Sequence, residues 1–222
     1  MKVLDVPQVG KLGITVTWPG RYGLTRRTMA VPRNPHSIAQ QIIRQNLATQ
    51  ANAYDHLTDE QQAAWIAAAS QMKSKPTLGQ SGPLTGLQLF TKVNCALLAI
   101  GGTPVSAPPA KPLLELLPID ALAITNVAGT ITLRLHTTDT PPEGTMLRAC
   151  PPQHNGCRRG VSYRLLGTLG SPVSNYITIT TAYTSRFGVP PVGSRVFVTV
   201  NANLDGYEGI PLVFSERVPA AA

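Results

Sequence analysis

The sequence has few charged residues, and this scarcity narrows the classes of protein that it can encode. Only 14% of its 222 residues are charged, against roughly 25% in ordinary soluble domains. Glycine, proline and threonine are common instead, which is typical of short strands joined by many turns. Because hydrophobic residues still make up 43% of the chain, it can bury a core and is not expected to be disordered throughout.

Long apolar runs are also missing. No stretch reaches the roughly 18 consecutive apolar residues of a membrane-spanning helix. Residues 1–7 lack the apolar run of a secretory signal peptide. We therefore expect neither insertion into a membrane nor secretion by the usual route.

Cysteine is scarce, with three residues in all. Cys95 falls in an apolar helical stretch, which is typical of a small buried residue. Cys150 and Cys157 bracket a turn that also contains His154, so the pair could form a disulfide or hold a metal. A zinc site needs four ligands, and no second ligand pair follows. We therefore predict free thiols, with no metal and no cofactor.

Motifs that would support catalysis are not found. The four histidines are scattered over separate predicted elements, and no Gly-x-Ser-x-Gly turn accompanies them. The glycines at 79 and 82 lack the Lys-Ser/Thr of a phosphate-binding loop. We predict that the protein is not an enzyme. The least favoured alternative is a hydrolase with a pocket near His136 or His154.

Basic residues exceed acidic ones, giving a formal charge of +8. The excess is densest near the N-terminus, at Arg21, Arg26, Arg27 and Arg33. Such an excess favours contact with an acidic partner, either nucleic acid or protein. Proteins that bind phosphate backbones usually have a denser basic stripe interleaved with aromatic residues. Here nucleic-acid binding stays an alternative.

Residues 1–33 are predicted to form an extended β-hairpin arm. Ile14, Val16 and Trp18 alternate with two threonines, which is the period of a half-buried strand. A turn at 19–23 leads to a return strand over 24–31, with Arg26 and Arg27 on opposite faces. Because an isolated two-stranded ribbon is marginal in water, we expect the arm to pack on the helices or on a neighbouring subunit. The candidate interaction residues are Trp18, Arg21, Tyr22, Arg26, Arg27 and Arg33.

Residues 34–102 are predicted to form a three-helix docking region. Ser37 and Gln40 form a capping box for a helix over 38–54, and Thr58 and Gln61 do the same for the next helix. The short connection favours an antiparallel helical hairpin. Apolar residues close to one face of each helix are Ile38, Ile42, Leu47, Ala51 and Tyr54 in the first, and Trp65, Ala69 and Met72 in the second.

The third helix begins after Thr85 and ends near Ile100. It is apolar around much of its circumference, so we expect it to be buried, against a partner protein if its own fold cannot cover it. The residues predicted to dock it are Leu89, Phe90, Val93 and Leu97.

The second half of the chain has a different pattern. Residues 103–118 contain five prolines and are predicted to be a stiff, extended linker. From 119 to 222, short strands recur at roughly ten-residue spacing, which predicts a β-sandwich of the immunoglobulin or fibronectin type III kind. Fibronectin-like is preferred because no Cys…Trp…Cys spacing is present. The predicted strands are 120–127, 129–136, 145–149, 161–167, 175–180, 194–202 and 210–218, with a helical turn over 181–187.

Two motifs resemble those of an uncharacterised family of bacterial and phage proteins. Pro32-Arg-Asn-Pro-His-Ser-Ile-Ala-Gln40 with Arg44 is similar to the family's Asn-Pro-x-(Ser/Thr)-x-Ala-Gln-x-x-x-Arg signature. Leu57-Thr-Asp-Glu-Gln-Gln-Ala-Ala-Trp65 is similar to its Leu-Thr-x-x-Gln-x-x-Trp helix start. His36 stands where that family more usually has a basic residue. The resemblance implies a glycine-rich extended N-terminus, a C-terminal fibronectin-like domain and a place in a virion.

Together these observations predict an α+β protein, with an N-terminal arm and helical region followed by a fibronectin III/immunoglobulin-like β-sandwich. The function expected is that of a non-enzymatic phage virion component of the capsid-associated, decoration or tail/connector type. It would be made in the host cytoplasm and would contact other copies of itself or capsid and tail proteins. If it is not part of a virion, we expect it in the bacterial cytoplasm. The alternatives are a nucleic-acid-binding protein that uses the basic hairpin, and a surface adhesion module.

Overall fold

The computed structural model describes residues 9–20, 23–30, 36–74 and 81–221. Its N-terminal region is an antiparallel sheet in the order β1-β2-β3. These strands are Gly10–Leu12, Thr15–Gly20 and Gly23–Thr28. The predicted two-stranded hairpin is therefore incomplete, because β1 adds a third strand. At three residues, β1 is too short to show an alternating pattern in the sequence.

Three helices follow, and each begins at the predicted cap. They are α1 (Ile38–Asp55), α2 (Asp59–Ser70) and α3 (Gly86–Ala99). The Thr58 and Thr85 side chains form complete capping boxes with Gln61 and Gln88. The box predicted at α1 is only half formed, since Ser37 accepts the Gln40 backbone N–H at 3.4 Å without the reciprocal side-chain bond. None of the helices in the described ranges is long and apolar enough to cross a bilayer.

The helices pack around α3. Both α1 and α2 lie against α3 rather than along each other, so the antiparallel hairpin that was predicted for α1 and α2 is not formed. Trp65 meets Phe90 edge to face, with 5.2 Å between ring centroids, and is fully buried. Gly86 lets the start of α3 lie close to α1 and α2, because a Cβ there would lie 2.5 Å from the Tyr54 hydroxyl and 2.9 Å from an Ile66 side-chain carbon.

The apolar face predicted for α1 is covered only towards its C-terminal end, where Tyr54 packs against the helical core. Ile38, Ile42 and Leu47 are each more than half exposed, whereas Gln50 is buried. The inner residues predicted for α2 are confirmed, since Trp65 and Ala69 are fully buried.

The C-terminal region consists mainly of two antiparallel sheets that share one hydrophobic core. One has the order β4-β5-β8 and the other the order β12-β9-β6-β7. Leucines and isoleucines from the first sheet pack with valines from the second. The elements are β4 (Ile119–Val127), β5 (Thr130–Thr137), β6 (Met146–Ala149), β7 (Arg164–Thr168), β8 (Tyr176–Thr178), α4 (Thr180–Phe187), β9 (Arg195–Asn201), β10 (Asn203–Leu204), β11 (Tyr207–Glu208) and β12 (Leu212–Arg217). All seven predicted strands and the helical turn are confirmed, and the small β10–β11 hairpin is additional.

Residues 103–118 form no helix or strand, as predicted, but they are fixed along the helical region. The Trp65 indole N–H donates to the Ser106 carbonyl at 2.7 Å. The Asn94 side chain bonds both backbone groups of Val105, at 2.8 and 3.1 Å. These bonds fix the segment against the helices, whereas a free linker would make no such bonds.

The helical region also contacts the C-terminal sheets directly, through the β10–β11 hairpin. The Asn203 amide donates to the Ala96 carbonyl of α3 at 2.9 Å. The buried Tyr207 side chain joins the Trp65 core, and its hydroxyl donates to the Pro109 carbonyl at 3.2 Å. Burial raises the pKa of this phenol. The helices and the C-terminal sheets therefore form one packed unit.

Candidate interaction surface

The N-terminal sheet lies outside both hydrophobic cores of the described chain. Neither core includes a side chain from β1, β2 or β3. Large apolar side chains are instead exposed to solvent along the sheet and its turns. They are Leu12, Ile14, Trp18, Leu24 and Met29, with Ile14 75% exposed and Trp18 65% exposed. Soluble proteins usually bury an apolar surface of this kind in their own core or against a partner.

The strand register assigns these residues to faces. Val16 lies opposite both Lys11 and Arg27, and Trp18 lies opposite Thr25. Directly opposed residues of an antiparallel pair project to the same side. One side of the sheet therefore carries Lys11, Val16, Trp18 and Arg27, and we call it the tryptophan face.

The opposite side carries Leu12, Thr17, Leu24 and Arg26. Arg26 and Arg27 thus lie on opposite faces, as predicted. The Arg26 guanidinium Nε donates to the Thr17 hydroxyl at 3.4 Å, and Thr17 is buried.

The expectation that Ile14, Val16 and Trp18 would form the half-buried side of a strand holds only for Val16, because Ile14 lies in the turn before β2 and Trp18 is exposed. The buried residue of β2 is instead Thr17, on the opposite face, whose hydroxyl accepts a hydrogen bond from the Arg26 side chain. Trp18 is long and projects beyond the sheet, and it stays exposed because no core of the described residues reaches it.

Three of the predicted interaction residues, Arg21, Tyr22 and Arg33, lie outside the described residues. Strands β2 and β3 meet at Gly20 and Gly23, which pair with each other. Arg21 and Tyr22 stand between these two glycines in the sequence. Lys11 and Leu12 were not predicted as part of this surface. Their only sequence signal was a short Gly-Lys-Leu segment, which β1 brings beside β2.

The residues predicted to dock α3 onto a partner are instead covered by the chain itself. Leu89, Phe90 and Val93 are at most 2% exposed, and Leu97 packs partly buried against the same core. A partner at α3 was expected only if the fold could not cover this helix, and the fold does cover it. The cover comes in part from Tyr207 of the unpredicted β10–β11 hairpin.

One histidine and the cysteines elsewhere in the described chain have local environments of their own. His136 Nδ1 lies 2.6 Å from an Asp120 carboxylate oxygen, and this hydrogen bond lowers the pKa of Asp120. The His136 ring also packs edge to face on Tyr176.

All three cysteines are free thiols, and burial raises the pKa of Cys95 and Cys150. Burial at these two positions disfavours the reactive thiolate form.

No protein-family model matches the chain, and comparisons with curated proteins and with solved structures found no match.

Proposed function

We propose that the protein is a non-enzymatic structural subunit of a protein assembly, a phage virion component of the capsid-associated, decoration or tail/connector type. It would be made in the host cytoplasm and would contact a neighbouring subunit through its N-terminal sheet. The observation that carries this proposal is the exposure of Ile14 and Trp18 on a sheet that contributes to neither core. A small sheet with no core of its own gains stability when another surface covers it.

The chemistry of the sheet suits a protein neighbour. Tryptophan and arginine are enriched at the centres of protein interfaces, where few residues supply most of the binding energy. Arg27 lies beside Trp18 on the tryptophan face, so a neighbouring carboxylate could pair with it next to the buried indole. The outer edges of β1 and β3 also offer backbone groups to which a strand from another subunit could add.

The C-terminal region is proposed to be a fibronectin type III-like β-sandwich that the assembly displays. Numbered along this region without the small β10–β11 hairpin, strands one, two and five form one sheet, and strands four, three, six and seven form the other. In constant-type immunoglobulin domains the fourth strand joins the first sheet. Here the fourth strand, β7, pairs with β6 in the second sheet, which supports the fibronectin-like alternative.

A second candidate function is binding of single-stranded nucleic acid. The observation that favours it is that Trp18 shares one face of the sheet with Lys11 and Arg27, since aromatic rings stack on bases while cations contact phosphates. This candidate predicts binding that weakens steeply as salt is added.

Light-scattering mass after size exclusion distinguishes the two. Nuclease-treated full chain and a chain lacking residues 1–33 are compared at low and high salt. We expect the full chain to form a discrete oligomer that survives high salt, because apolar burial holds it. The shortened chain should be a monomer that keeps the circular dichroism signal of its helices.

An oligomer that persists without residues 1–33 would overturn the proposed role of the sheet, as would a full chain that stays monomeric. A mass that increases only when DNA or RNA is added, and only at low salt, would favour the nucleic-acid candidate. Replacing Arg26 and Arg27 with glutamine should then reduce the salt dependence of binding.

A further inference from the structure

A second open surface lies between α1, α3 and the start of β7. It is a groove of about 1050 Å³ and is open to solvent. Its apolar lining comes from three elements that are far apart in sequence. The apolar residues are Ile42, Ile43, Leu47, Leu98, Ala99 and Leu165.

The exposed side of α1 is explained by this groove. Ile42, Ile43 and Leu47 are each more than half exposed, and all three line it. A helix normally turns such a row towards a core. Here the row points into open space beside α3, so the apolar surface is left for something else to cover.

The groove is also positively charged. Lys92, Arg148, Arg164 and Arg186 line it, and no aspartate or glutamate does. Arg148 is paired with Glu208 at 2.9 Å and bonds Asn201 at 3.1 Å. None of the ion pairs among the described residues involves the other three cations. Cations above an apolar floor raise the local concentration of anionic ligands.

We propose that this groove binds an acidic amphipathic helix of a partner protein. Leucine-like residues spaced i, i+3, i+4 and i+7 would fill the apolar floor between α1 and α3, in the helix-in-groove mode. Carboxylates at the edges of that helix would pair with Lys92, Arg164 and Arg186. The two packed helices α1 and α3 form the walls, so the site is built before the ligand arrives.

A second copy of this chain does not fit the same chemistry. The protein carries a formal charge of +8. Its helix with an exposed apolar row, α1, has Arg44 and a single carboxylate at its last residue, Asp55. The acidic residues of α2 are confined to its first turn, and its large aromatic residue is buried. The complementary helix therefore belongs to a different protein. This inference does not depend on the role of the N-terminal sheet.

The test uses the full chain and a fluorescein-labelled peptide of about 18 residues, long enough to form a helix. Its leucines follow the i, i+3, i+4, i+7 pattern and its other positions are mainly glutamate. Two control peptides replace glutamate with lysine or scramble the same residues. By fluorescence anisotropy, the acidic peptide should bind roughly tenfold or more tightly than either control, a difference of about 1.4 kcal/mol.

Matched variants locate the binding site. Leu47→Gln in the groove should weaken binding roughly tenfold or more. Ile66→Gln on α2 is the control, because Ile66 is 57% exposed against 52% for Leu47 but does not line the groove. For charge, the double change Lys92→Gln and Arg186→Gln should weaken binding. The control is the double change Arg158→Gln and Arg159→Gln, which removes the same amount of charge from two exposed arginines outside the groove and should leave binding unchanged.

A thiol gives an independent readout. Cys95 lines the groove, so bound peptide should slow its alkylation, whereas Cys157 lies outside and should react at an unchanged rate. The proposal is wrong if the acidic peptide does not bind, if the lysine peptide binds as well, or if Leu47→Gln and Ile66→Gln behave alike. It is also wrong if the groove variants instead change the mass of the protein alone, since the groove would then be a contact between copies.

Discussion

The N-terminal sheet and the C-terminal sheets are made of similar strands but bury very different surfaces. In β5, Leu133 and Leu135 point into the shared core and are fully buried. In β2, Trp18 also belongs to an alternating apolar row, but it is 65% exposed. An alternating pattern therefore predicts that a strand has an apolar face, but it does not say whether the same chain supplies the cover.

The helices repeat this contrast. The apolar rows of α3 are buried by α2 and by the β10–β11 hairpin. The row on α1 is left exposed, although its residues are equally apolar. The N-terminal sheet and the outer side of α1 are thus two places among the described residues where apolar side chains stay exposed, and we propose that partners cover both.

The largest expected effect separates the two kinds of sheet by stability. Leu133→Ala should destabilise the protein by about 2–5 kcal/mol, because it leaves a cavity in a packed core. Ile14→Ala should change the free energy of unfolding by no more than about 0.5 kcal/mol in the monomer, because the side chain is 75% exposed. Urea unfolding of both variants measures the difference. An equal loss for Ile14→Ala would mean that the N-terminal sheet packs on a core of its own chain.

A smaller difference between two variants tests whether the helices and C-terminal sheets are one unit. Gly206 has a positive φ of 81°, and a Cβ there would lie 2.6 Å from Val93 of α3. Gly129 has a φ of 84° with nothing within 4 Å of its Cβ position. Gly129→Ala should therefore cost only the backbone strain, about 1–2 kcal/mol.

Gly206→Ala should cost the same strain and a further ~1–3 kcal/mol of overpacking, because it pushes the β10–β11 hairpin away from α3. Thermal unfolding of both variants gives the comparison. Equal losses would show that the hairpin is not held against the helix, and the helical region would then be free to separate from the sheets.

Much of the fold could be predicted from local sequence signals. The helix starts at Thr58 and Thr85 follow from side-chain caps that act within one turn. The seven strands after Ile119 follow from alternation and from turn residues such as Gly129. These signals depend on residues that are neighbours in the chain.

What could not be predicted depends on contacts between distant residues. The burial of α3 requires Tyr207, which lies more than a hundred residues later in the chain. The third strand of the N-terminal sheet is only three residues long, and pairing with β2 defines it. The groove needs α1, α3 and β7 together, so no segment alone indicated it. Ile42 and Leu47 were placed on one face of α1, but nothing local shows that this face is open.

Amide hydrogen exchange across a dilution series, from oligomer to monomer, tests the central claim most directly. We expect the β2 amides to be protected in the oligomer and to exchange at least about tenfold faster in the monomer, because the described strands of this sheet contribute to neither hydrophobic core. The β9 amides, at the centre of the C-terminal core, should be protected at every concentration. Protection of β2 that does not change between oligomer and monomer would contradict the account.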